Sequence, residues 1–196
     1  MKTLKYLTLT IGLALFFSPE KSCAYDANFS FGNLCEYVGK IQTDDKGSIN
    51  ICSLNPYVAG AIDYTLNNKF IFSNEYGFTL PQSGRDKNIS KSSLFALANI
   101  KYIYNIFHAT GGFGFFISRI QGPGGEENLN NGNSHDSFPL PDTTVYALNL
   151  ILNLGFGVDI NKEWSADLHT FIFNTFTSED RAFSIAINGS YHFGEF

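Results

Sequence analysis

From residue 145 to 160 almost every second residue is apolar: Tyr146, Leu148, Leu150, Leu152, Leu154, Phe156, Val158 and Ile160. Between them stand Ala147, Asn149, Ile151, Asn153, Gly155, Gly157 and Asp159, small or polar with one exception. A period of two belongs to a strand with unlike faces, whereas a helix repeats every three or four residues. The end of the chain repeats the pattern, with Phe183, Ile185, Ile187, Tyr191 and Phe193 set against Ser184, Ala186, Asn188, Ser190 and His192. Phe70, Phe72, Tyr76, Phe78 and Leu80 alternate with Ile71, Ser73, Glu75, Gly77 and Thr79, and Val58, Ile62, Tyr64 and Leu66 with Ala59, Ala61, Asp63 and Thr65. Four less regular segments, about 28–39, 92–105, 108–121 and 163–174, complete a set of eight predicted strands.

The connections sharpen the picture. Tight turns at Asn67-Asn68, Asn105 to Phe107 and Asn161-Lys162 suit two- or three-residue hairpins. Long polar links, about 40–52, 81–91, 122–142 and 175–180, alternate with them, and 122–142 shows no periodicity. Short turns at one end and long loops at the other are the asymmetry of an outer-membrane barrel. Strands of 10–14 residues, tilted about 45°, cross an apolar layer about 25 Å tall. A soluble sandwich or lipocalin-like barrel is the competing architecture, but it needs a charged outer face. Here the minority face is Asn, Ser, Gly and Ala. In hydrocarbon every backbone group must be paired, so the sheet has to close. The expected fold is all-β, an eight-stranded antiparallel up-and-down transmembrane β-barrel, and a monomer.

Composition now fits rather than puzzles. The 196 residues are 44% hydrophobic, 16% aromatic and only 16% charged, against about 25% charged in an average soluble domain. That aromatic content excludes disorder. A net charge of −5 without a Lys/Arg cluster excludes a nucleic-acid binder. Residues 1–24 read as a signal peptide: Lys2 and Lys5, an apolar stretch from Tyr6 to Phe17, then Ser22-Cys23-Ala24. The stretch is too short to span a bilayer as a helix, and Glu20-Lys21-Ser22 before Cys23 speaks against lipidation. Residues 25–196 then form the barrel domain, with 10 basic and 17 acidic residues. Cys35 and Cys52 remain as a pair, and export favours a disulfide over two free thiols.

Asn-Pro-Tyr-Val-Ala-Gly-Ala-Ile-Asp-Tyr (55–64), Gly-Phe-Gly-Val-Asp-Ile (155–160) and the closing strand at 182–193 carry a resemblance to the small eight-stranded outer-membrane barrels of Gram-negative bacteria, the outer-membrane protein A/X-like group. The resemblance spans the mature chain and implies outer-membrane lipids and the barrel-assembly machinery as partners, with no cofactor. It also implies an assembly signal in the last strand, matched by Ile185, Ile187, Tyr191 and Phe193. Phe196 ends the chain one position out of that alternation. Some barrels that this chain resembles add or remove acyl chains on lipid A, and such an enzyme would draw on His169, Asp167 and Ser184.

By register the lumen receives Asp63, Glu75, Lys101, Asp159 and Asp167, with His169 and His192. One lysine among these acids predicts an internal ion-pair network, because a buried charge must be paired. Eight strands leave a lumen filled by side chains, which favours a structural plug over a conducting path. His108 and His135 lack partners nearby in sequence, which argues against a metal site. Gly111-Gly112-Phe113-Gly114 precedes no helix and no Lys-Ser/Thr, so it is read as strand packing rather than a phosphate loop. The expected role is structural or surface-interacting, with loops 40–52 and 122–142 meeting an extracellular ligand. A lipid A-modifying enzyme and a narrow channel are the alternatives.

Overall fold

The computed structural model describes residues 25–38, 42–43, 49–50, 52, 54–83, 89–130, 135–176 and 181–195. The signal-peptide segment and Phe196 lie outside them. Among the described residues eight long strands run in chain order: β1 (Tyr25–Val38), β2 (Pro56–Asn67), β3 (Phe70–Thr79), β4 (Ser90–Tyr104), β5 (Phe107–Gln121), β6 (Thr144–Asp159), β7 (Trp164–Phe173) and β8 (Ala182–Glu195). Each pairs antiparallel with the next, and β8 returns to β1, so the sheet has no free edge. A closed, all-antiparallel barrel is the fold that the alternation required.

Asparagine sets the three short turns. Asn67 Oδ1 accepts the backbone N–H groups of Lys69 and Phe70 at 2.9 and 3.0 Å, and Asn161 Oδ1 those of Glu163 and Trp164 at 2.8 and 2.9 Å. Asn105 adopts a φ of 55°, a left-handed conformation that asparagine tolerates.

The faces are inverted relative to a soluble barrel. Leu148, Leu150, Leu154 and Phe156 on β6, Phe113 and Phe115 on β5, and Phe183 and Ile187 on β8 are exposed. Asn99, Asn153, Ser184 and Asn188 are buried. A contiguous apolar belt of this extent is stable only against hydrocarbon. Trp164 and Tyr191 pack edge-to-face at 5.1 Å near the short turns, with Phe193 5.1 Å from Tyr191, as in an interfacial aromatic girdle.

Three expectations are corrected. β1 begins at Tyr25, not near residue 28, which brings Asp26 into the barrel. The segment 122–142, read as a long polar link without periodicity, contains a hairpin of Glu126–Asn130 with His135–Pro139. Gly124 and Gly125, at φ 77° and 92°, turn the chain out of the barrel wall, and Gly124 N–H to Pro141 and Leu140 N–H to Gly125 continue the ladder at 2.9 Å each. This hairpin is a two-stranded sheet separate from the barrel, so no lipid face imposes an apolar alternation on its sequence. Finally, His108 is not unpaired, as described next.

Candidate functional site

Inward side chains divide the lumen into two halves. Toward the long loops the inner face is apolar: Tyr57, Phe95, Phe116, Phe171 and Phe173 are almost fully buried, with Leu97 and Ile151 between them. Phe95 lies 5.7 Å from Tyr57, 6.4 Å from Phe116 and 5.6 Å from Phe171, and Phe116 meets Phe173 edge-to-face at 5.1 Å. Such ring geometries add to what area burial contributes. This aromatic layer seals the outer end. Planar-bilayer recordings of the purified barrel are therefore expected to show no conductance steps, and regular open-channel steps would contradict the seal.

Below the layer the lumen is polar. Lys101 Nζ donates to Asp63 Oδ2 at 2.7 Å. Asn99 Nδ2 donates to Glu75 at 3.2 Å, Asn153 Nδ2 donates to Asn99 Oδ1 at 2.9 Å, and His169 Nδ1 lies 3.1 Å from Asn153 Oδ1. His108 bridges two acids, with Nε2 2.6 Å from Asp167 and Nδ1 3.3 Å from Asp159. Asp167 Oδ2 also accepts from Ser190 at 3.1 Å and Asn188 at 3.4 Å. His192 joins Asp26 on one side at 3.0 Å and Ser165 on the other at 3.2 Å.

Glycine makes these pairings possible. His108 and Asp167 sit on β5 and β7 and both oppose Gly157 of the strand between them. A Cβ at Gly157 would overlap His108 Nε2 and Asp167 Oδ1, so the two side chains bond across a strand that presents none. Gly112 serves Asn99 and Asn153 in the same way, since a Cβ there would strike Asn99 Oδ1. Of the glycines in 108–121, read from sequence as packing positions, Gly112 yields lumen space to a neighbour's side chain, while Gly114 lies tight against the backbone of Ala96 and Leu97 and Gly111 faces open space.

Of the residues an enzyme reading would draw on, His169 and Asp167 share the inward face but engage Asn153 and His108 respectively. Ser184 is fully buried opposite Phe171. Asp26, His108 and Ser165, which local sequence did not single out, are central to the network. Among the described residues no group of three or more His, Cys, Asp or Glu has the geometry of a metal site.

The outer rim is braced around the first hairpin. Cys35 and Cys52 form a disulfide. Asn33 Nδ2 reaches toward both sulfurs, and its Oδ1 accepts Asn55 N–H at 2.6 Å. Asn55 Nδ2 donates to Glu36 at 3.0 Å, and Lys91 of β4 pairs with Glu36. The double substitution Cys35→Ser/Cys52→Ser is expected to leave the barrel folded but open the 39–54 loop to protease. Unchanged cleavage in limited proteolysis would contradict the tether.

No family model matches the chain, and no curated protein does. Solved structures do. Ail, the attachment invasion locus protein of Yersinia pestis, in complex with the heparin analogue sucrose octasulfate, superposes with a TM-score of 0.53 at 10% identity, over 88% of this chain and 100% of that chain. A second crystal structure of Ail gives a TM-score of 0.51 at 8% identity with the same coverage. This chain has the fold of a small outer-membrane β-barrel. The lipid-facing belt, the polar lumen and the short-turn/long-loop asymmetry are the physical features that the fold carries here.

Proposed function

We propose that this barrel is exported after removal of residues 1–24, inserted by the barrel-assembly machinery through its last strand, and works as a monomer whose outer loops bind an extracellular partner. Ile187 and Phe193 of that strand are exposed on the lipid side, where an assembly factor can read them. The observation that carries the surface role is the concentration of built structure beyond the membrane: a disulfide-braced rim and an extended hairpin at one end, over a sealed lumen. A barrel serving only as a membrane staple has no need of either.

The charge of the longest loop narrows the partner. Segment 122–142 holds Glu126, Glu127, Asp136 and Asp142 and no Lys or Arg. The Ail complex contains a sulfated polyanion; the acidic loop of this chain favours a basic protein or peptide surface instead, since complementary potential steers encounter and rejects like charge. The test is adhesion of a non-adherent Gram-negative strain that displays the barrel. Binding to cationic peptide-coated surfaces should exceed binding to heparin-coated ones and fall with salt. It should be lost on deleting 126–139 while heat-modifiable gel migration persists. Adhesion indifferent to display of the barrel would sink the reading.

A further inference from the structure

We propose that Ser165, His192 and Asp26 form a hydrolytic triad that opens onto a cavity at the short-turn end and cleaves small carboxylic esters. The inference goes beyond the surface role and concerns the opposite end of the molecule.

Three strands supply the triad. Asp26 lies near the start of β1, His192 near the end of β8 and Ser165 near the start of β7, so barrel closure assembles residues 166 positions apart in sequence. Asp26 Oδ2 accepts from His192 Nδ1 at 3.0 Å, and Ser165 Oγ lies 3.2 Å from His192 Nε2. An acid on one ring nitrogen and a hydroxyl on the other is the arrangement in which the acid fixes the tautomer and the free nitrogen serves as base. Ser165 Oγ also donates toward Asp167 Oδ2 at 3.2 Å, so its one proton has two acceptors at equal distance, that oxygen and His192 Nε2. The Asp167 oxygen also accepts from Ser190 and Asn188 and is shared among three donors, whereas His192 Nε2 offers the serine proton an acceptor of its own.

All three residues line one cavity of about 460 Å³ that lies open among the short turns. Ile71, Ile103 and Ile106 give it an apolar side, suited to a short acyl chain. Lys162 and Lys101 line it as well, the latter bonded to Asp63, and they bring the positive charge that favours an oxyanion. The aromatic layer above closes the lumen, so substrate enters from the short-turn side.

The chemistry balances without a cofactor. Ser165 Oγ bonds to the carbonyl carbon as its proton passes to His192 Nε2. The bond from that carbon to the alcohol oxygen breaks, and the proton leaves with the alcohol. Water then adds to the acyl carbon and yields a proton to Nε2. The acyl–Oγ bond breaks, Oγ regains the proton, and a carboxylic acid departs.

The test uses the folded, full-length barrel in detergent micelles with a fluorophosphonate probe, followed by peptide mass spectrometry, and with 4-nitrophenyl butyrate. The probe is expected on the peptide holding Ser165 in the wild type, a result that needs no variant to fold. Ser165→Ala should abolish the label. Asp26→Asn, with heat-modifiable migration retained, should slow both labelling and ester turnover by about a hundredfold or more. A wild-type barrel that stays unlabelled at Ser165, or labelling unchanged in folded Asp26→Asn, overturns the proposal.

Discussion

Replacing Lys101 by Met is expected to cost the barrel about 3–5 kcal/mol, the penalty for leaving one member of a buried ion pair without its partner. Lys101 is the cation bonded to Asp63, whose side chain is 6% exposed. The second carboxylate oxygen, Oδ1, takes no hydrogen bond among the described residues. With the ammonium gone, Asp63 would face the lumen with neither charge nor donor opposite it. The double variant Lys101→Met/Asp63→Asn removes the charge as well as the cation, so it should recover most of the loss. Trp164, the single tryptophan, sits 38% exposed beside the short turns and reports unfolding by its fluorescence. Urea titration in lipid vesicles should show a clearly lower midpoint for Lys101→Met. A midpoint equal to wild type would mean that the pair contributes nothing to folding.

Leu152→Arg is expected to cost about 2–4 kcal/mol, the depth-dependent penalty for a cation on the lipid face at the bilayer midplane. Leu152 stands midway along the apolar row of β6, between inward-facing Ile151 and Asn153, both buried. The same substitution at Ile160, exposed beside the Asn161 turn, should cost no more than about 1 kcal/mol, because there the arginine reaches the interface. The contrast decides between solvents. In a water-soluble barrel an outward arginine at either position would be nearly neutral. Equal stability of the two variants in vesicles would therefore contradict a lipid-facing belt.

The eight strands were legible because the chain faces two different media, and a two-residue period records that difference directly. Legibility failed where the difference vanished. On β4, β5 and β7 the inner face is aromatic near the long loops, at Phe95, Phe116, Phe171 and Phe173, so both faces are apolar and alternation blurs. The Glu126–Asn130/His135–Pro139 hairpin was hidden for a different reason: it stands apart from the barrel sheet, where no apolar medium imposes an alternation. The lumen partners posed a separate problem. Asp63 and Lys101 could be assigned to the interior from register alone, but which group meets which depends on the relative heights of strands far apart in sequence. His108 looked solitary because its acids lie 51 and 59 residues away, and it reaches Asp167 only because Gly157 stands aside. Asp26 belonged to a strand whose start carries too few apolar residues to mark it.

The aromatic layer also determines which compartment the interior belongs to. With its outer end stoppered by phenylalanine and its other end hollow, the barrel is a cup rather than a tube. Its acids and imidazoles exchange protons and solutes with the fluid beneath the outer membrane, while the medium outside the cell touches only the loops. Acidifying or salting that medium should reach the loops at once, yet leave the contents of the cup unchanged until the periplasm itself follows.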